Sequence, residues 1–181
     1  MRLKMRKLLA MFAIAITAVS FTACDDDAEV AYLLEGAWEG DMHVYSWYDG
    51  HKYVATHSEI EFYRGYDSGT GVWVDYYDDA PWGYYVANHI TWRVRNQNIY
   101  IHFVEEGTDA VIYDYSLSGG YFMGELEVEG GDKAYFRLSK TYSPNWDDYY
   151  WGYYWNKAYD DSLSVTRGTA NADNMPKRMF K

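Results

Sequence analysis

His89-Ile90-Thr91-Trp92-Arg93-Val94-Arg95-Asn96-Gln97-Asn98-Ile99-Tyr100-Ile101-His102-Phe103 decides the fold. Side chains alternate faces along a strand, so a slip of one residue would expose the core face. With Asn96-Gln97 as a two-residue turn, Arg95 lies opposite Asn98. Ile90, Trp92 and Val94 then share a face with Ile99, Ile101 and Phe103. His89, Thr91, Arg93, Arg95, Tyr100 and His102 take the other. The pattern predicts an antiparallel hairpin, apolar inside and polar outside.

The same test extends along the chain. Glu106-Gly107-Thr108 reads as a three-residue loop that sets Phe103 against Val111 and Ile101 against Tyr113. A two-residue Glu106-Gly107 turn is the rival, and it would turn Ala110, Ile112, Asp114 and Ser116 inward. Val111, Tyr113, Tyr115 and Leu117 form the more apolar face and favour the longer loop. Gly119-Gly120 supplies the two positive φ angles of a type I′ turn. It places Leu117 opposite Phe122, Tyr115 over Gly124, and Tyr113 opposite Leu126. Gly130-Gly131-Asp132 then sets Val128 against Ala134 and Leu126 against Phe136. Towards the N-terminus, Trp38, Met42 and Val44 share a parity, as do Ile60 and Phe62, and Val72, Val74 and Tyr76. Eight segments result: 37–47, 53–63, 72–78, 84–95, 98–105, 109–118, 121–129 and 133–141. Eight sequential antiparallel strands remove their exposed edges by closing into an up-and-down barrel. The expected fold is all-β.

Composition agrees with one folded domain. Of 181 residues, 49% are hydrophobic and 20% aromatic, enough to build a core. Sixteen Lys and Arg stand against 27 Asp and Glu, a net charge of −11, which argues against nucleic acid as a partner. The single cysteine excludes an internal disulfide framework and a CxxC metal site.

The first residues read as an address. Arg2, Lys4, Arg6 and Lys7 precede an uncharged apolar run from Leu8 to Phe21, the layout of a secretory signal. Phe21-Thr22-Ala23-Cys24 resembles a bacterial lipoprotein box, which makes Cys24 the expected lipidation site. Asp25, Asp26 and Asp27 resemble the surface-export signal of Bacteroidetes lipoproteins. Removal of residues 1–23 leaves a net charge of −15, so the lipid and not the domain must hold the membrane. The expected location is the outer membrane, exposed at the cell surface, with the periplasmic face as the alternative.

Gly36-Ala37-Trp38 heads the first strand and looks like the Gly-x-Trp signature of lipocalins. The body, roughly Leu33 to Thr141, resembles the short lipocalin-like domains of Bacteroidetes lipoproteins. The resemblance implies that Trp38 plugs the barrel floor under an arginine of the last strand, where Arg137 lies. It also implies non-enzymatic binding of a small apolar or aromatic ligand, for which Tyr76, Trp92, Tyr113 and Tyr115 are the expected lining. The alternative is a cell-surface interaction or glycan-binding module whose aromatic rings fill the barrel.

No motif for catalysis accompanies these features. There is no phosphate loop, HExxH or nucleophile elbow, so no catalytic residue, cofactor or metal is expected. His43, His51, His57, His89 and His102 read as surface histidines. The pairs Glu59 with Glu61 and Glu125 with Glu127 read as outward acids. Asp75, Asp78 and Asp79 offer oxygen ligands for Ca²⁺ but lack the Gly and Glu spacing of an EF-hand loop. The stretch from Trp146 to Trp155 is the oddity, with Trp146, Tyr150, Trp151, Tyr154 and Trp155 as candidates for stacking on a sugar or anchoring a partner, or for packing over a barrel end. The expected organisation is a signal at 1–23, an acidic tether at 24–32, the barrel at 33–142, an aromatic extension at 143–160 and a disordered tail at 161–181.

Overall fold

A computed structural model describes residues 25–128, 133–153 and 176–181. Cys24 and the signal therefore lie outside the described residues. The helix α1 (Asp25–Leu34) leads into β1 (Gly36–Asp41), β2 (Val44–Tyr48), β3 (His51–Val54), β4 (His57–Arg64) and β5 (Ser68–Tyr76). Next come β6 (Tyr85–Arg95), β7 (Asn98–Phe103), β8 (Thr108–Ser118), β9 (Tyr121–Val128) and β10 (Ala134–Thr141). A short 3₁₀ turn (Trp146–Asp148), β11 (Gly152–Tyr153) and β12 (Lys177–Phe180) follow.

Eight of these strands close the expected barrel, in the order β1-β4-β5-β6-β7-β8-β9-β10 and back to β1, every pairing antiparallel. The deciding hairpin has the expected register, Arg95 against Asn98, with Asn96 and Gln97 at φ 52 and 59. Positive φ at both turn residues matches the right-handed twist of the flanking strands.

The registers on either side needed correction. Phe103 pairs with Thr108 and Ile101 with Ala110, so residues 104–107 form the loop and Ala110 and Ile112 point inward. A bulge between Tyr113 and Ser116, with Asp114 at φ 49, then switches the face. Leu117 meets Phe122, and Tyr115 lies over Gly124, where an added Cβ would come within 2.9 Å of the Tyr115 Cβ. Tyr113 is outward, opposite Glu125. Across the last hairpin Ala134 pairs with Leu126 and Phe136 with Gly124, a two-residue shift that leaves the faces unchanged.

The first half departs further. The segment at 37–47 is two elements, because the chain breaks at His43 (φ 54) and starts the separate hairpin β2–β3, turned by Asp49 and Gly50 (φ 47 and 74). In β5 the inward residues are Gly69, Gly71, Trp73 and Asp75, not Val72, Val74 and Tyr76. The small glycines are required there: an added Cβ at Gly69 would sit 2.9 Å from the ring of Trp92. The residues after Cys24 are a helix and not a free tether. Val30, Ala31 and Leu34 of α1 pack on the core, and Asp27 accepts from the N–H groups of Asn96 and Gln97 at 3.3 and 3.5 Å. Nor are residues 177–180 a disordered tail: β12 pairs with β2, and Phe180 is fully buried. Hydrogen bonding to β2 and burial of Phe180 supply the ordering energy that a polar reading of this stretch overlooked.

The floor is closed by α1 and Trp38, whose indole N–H donates to the Leu34 carbonyl at 2.8 Å. The basic residue over the Trp38 ring is Lys140, at 5.1 Å, while Arg137 lies outside on Tyr121 at 4.1 Å. Rings fill the axis edge to face. Trp38–Phe122, Phe62–Trp92 and Phe122–Phe136 stand 5.7, 5.6 and 4.9 Å apart in the floor half, and Trp73–Phe103 5.1 Å apart in the other.

Candidate functional site

Three places carry chemistry: the mouth opposite the floor, the outer wall of β5 to β8, and the outer wall under residues 146–153. The four residues expected to line one pocket do not meet. Trp92 is inside the floor half, its N–H donating to the Thr70 carbonyl at 2.8 Å. Tyr115 is half-buried, and burial, helped by the charge of Asp27, pushes its phenol up to about 12. Tyr113 is outside, donating to Glu127 at 3.0 Å under the ammonium of Lys133. Tyr76 is also outside. The bulge in β8 and the inverted face of β5 separate them.

Tyr76 belongs to the wall covered by the aromatic extension. Val72, Val74 and Ala87 form a small outer cluster under Tyr76, Tyr85, Trp146, Tyr149 and Trp151. The Tyr76 hydroxyl donates to Glu59 at 2.5 Å and contacts the Tyr149 hydroxyl at 2.6 Å. Burial, then the bond to Glu59, holds its pKa far above the ordinary phenol value. Glu61 accepts from Trp146, Ser143 and Tyr63. Trp151 lies on His89, ring centres 3.8 Å apart, and β11 pairs with β6. The extension thus packs mainly over the side wall, where the outward face of β5 carries Val72 and Val74, while its Tyr153 reaches Trp82 at one barrel end. Trp146 and Trp151 are partly buried by it, and Tyr150 is exposed. Tyr154 and Trp155 lie outside the described residues.

The mouth is closed by β2, β3 and β12. Trp82, fully buried, is ringed edge-on by Tyr48, Tyr53, Tyr77 and Tyr153 at 5.1–6.2 Å. Ser46 joins the hydroxyls of Tyr77 (2.9 Å) and Tyr153 (3.1 Å). Burial raises the pKa of both phenols. Beneath them lies a buried ion cluster that the sequence reading missed. Asp75 accepts from Ser58 (2.6 Å) and the Trp73 indole (2.8 Å), and its second oxygen is 2.7 Å from Arg178 Nη1. Glu106 meets Asn88 (2.8 Å) and Arg178 Nη2 (3.0 Å). Burial opposes the charge on Arg178, but Asp75 and Glu106 outweigh it and raise its pKa.

The third place is a groove of about 680 Å³ on the outside of β5 to β8. Two cross-strand rows build it. Ser68, Arg93, Tyr100 and Val111 are successive partners, and so are Thr70, Thr91, His102 and Asp109. Arg93 lies 5.4 Å from the Tyr100 ring centre, and His102 Nδ1 is 2.8 Å from Asp109. Hydroxyls, a guanidinium and a phenol ring converge on one concave surface. Among the described residues no group of His, Cys, Asp and Glu has a metal-holding arrangement.

Residues 34–123, just under half of the chain, match the family model of a lipocalin-like domain. No curated protein matches the chain. The matched stretch spans β1 to the start of β9, and the closed eight-stranded barrel is a lipocalin-like fold.

Proposed function

We propose that this chain is a member of the lipocalin-like family that binds its ligand non-enzymatically on the outer wall of the barrel. One observation carries the reading: aromatic rings pack face to edge along the axis, while a groove opens outside between Arg93, Tyr100 and His102. This favours a surface module with a filled core over an apolar ligand held among Tyr76, Trp92, Tyr113 and Tyr115. The groove's donors and its phenol ring suit a hydroxyl-rich ligand such as a glycan, which offers oxygens to hydrogen-bond and a flat face to stack. A membrane anchor at Cys24, with Asp25, Asp26 and Asp27 directing the protein to the cell surface, places such a module among envelope sugars.

Titration of the purified protein with envelope oligosaccharides, followed by NMR, tests the reading. Shifts should centre on Tyr100 and His102, and Arg93→Ala should weaken binding roughly tenfold or more. Tight uptake of a fatty acid, with shifts at interior residues, would overturn it. For the anchor, Cys24→Ala should move the protein out of the membrane fraction. Replacing the three aspartates with Ala should reduce protease access on whole cells.

A further inference from the structure

We propose that the mouth of the barrel is a binding site for an extended peptide bearing an arginine, and that β12 is its tethered occupant. The site is built for a guanidinium. Asp75 and Glu106 reach it from β5 and from the β7–β8 loop, and their side chains are 0% and 8% exposed. The guanidinium carbon lies 4.5 Å from the centre of the Phe103 ring and 5.9 Å from that of Trp73. Two carboxylates and two aromatic faces are what a planar cation seeks on leaving water.

A strand lane accompanies the charge site. Lys177, Arg178, Met179 and Phe180 pair antiparallel with Trp47, Ser46, Tyr45 and Val44 of β2, and β12 has no other strand neighbour among the described residues. This is addition of a peptide strand to a sheet edge, with Phe180 as the apolar anchor two residues beyond the arginine. Phe180 sits 6.1 Å from Trp73.

A further feature marks β12 as an occupant that can exchange. Its fit is incomplete. Among the described residues only Nε of Arg178 makes an aligned hydrogen bond, to Glu106 at 3.1 Å, while Nη1 and Nη2 make close but unaligned charge contacts. Asn88 Oδ1 and Trp82 Nε1 are buried with no hydrogen-bond partner among the described residues.

The test uses the full chain, its Arg178→Ala variant, and two hexapeptides, residues 176–181 and the same peptide with Arg178→Ala. The native hexapeptide should bind the Arg178→Ala chain roughly 30-fold more tightly than the altered peptide does. It should also bind that chain more tightly than the unaltered chain, where the tethered arginine competes at an effective concentration on the order of millimolar. Equal binding of the two peptides, or binding of neither, would overturn the proposal. Should Arg178→Ala fail to fold, Phe180→Ala takes its place, since every buried charge there keeps its partner. The native peptide should then speed amide exchange at residues 177–180, and unchanged exchange would overturn the proposal. Sedimentation separates the two sources of such a peptide. A dimer of the intact chain that the hexapeptide dissolves would identify a second copy, and a monomer that takes up the hexapeptide a separate partner.

Discussion

The two ends of the barrel are closed by different physics. At the floor, a helix lays Val30, Ala31 and Leu34 on apolar rings, and the indole N–H of Trp38 is satisfied by the Leu34 carbonyl. At the mouth, a cation and two carboxylates are buried together under a tyrosine-ringed tryptophan. Apolar closure tolerates exchange of one ring for another. Ionic closure does not, because removing one partner leaves a charge stranded out of water.

The largest effect should therefore fall at the mouth. Asp75→Ala deprives Arg178 of one counter-ion and leaves the donors of Ser58 and Trp73 unmatched. It should destabilise the protein by roughly 3–5 kcal/mol in urea denaturation, and a loss below about 1 kcal/mol would erase the distinction between the ends. Alkaline pH should act next. Tyr77 and Tyr153 at the mouth, and Tyr115 in the floor half, keep their protons beyond the ordinary phenol pKa of 10. The unfolded chain releases those protons from about pH 10. Their stabilisation is therefore complete below pH 10 and falls as pH rises further. Denaturation midpoints at pH 9 and 11 should show the fall, and Tyr77→Phe should flatten it more than Tyr115→Phe.

At the floor, Trp38→Phe keeps a ring but loses the bond to Leu34 and some volume, a cost of roughly 1–2 kcal/mol by thermal melting. A loss as large as that of Asp75→Ala would contradict the tolerance ascribed to this end. The smallest effect belongs to Asp27→Ala, which removes two long, exposed hydrogen bonds to the Asn96-Gln97 turn. About 0.5 kcal/mol is expected, with faster amide exchange in α1 as the more sensitive readout.

The same contrast explains what could be read from the sequence. The hairpin from His89 to Phe103 was legible because one face is apolar and the other wet. The register of β8 was not, since the bulge at Asp114 swaps faces within one strand, leaving Ile112 and Tyr115 both inward. In β5 the inward face is two glycines, a tryptophan and an aspartate, and the outward face is valine under the aromatic extension. Periodicity points the wrong way there. Asp75 reads as a surface acid until Arg178 is known to meet it, and nothing local announces a partner so far along the chain. The β2–β3 hairpin did carry a signal, the Asp49-Gly50 turn between Val44–Tyr48 and His51–Val54. The outer groove has none, since it arises from side chains of four strands meeting in register.

The ion cluster also sets an order of events in time. Asp75 is synthesised 103 residues before Arg178. Until residue 178 emerges, Asp75 and Glu106 lack the guanidinium that joins them and the mouth cannot set. The seam of the barrel waits similarly, as Ala37 pairs with Thr141. Contacts so distant along the chain form slowly. The growing chain thereby keeps its barrel open, and closes it only once both sides of the cluster have arrived.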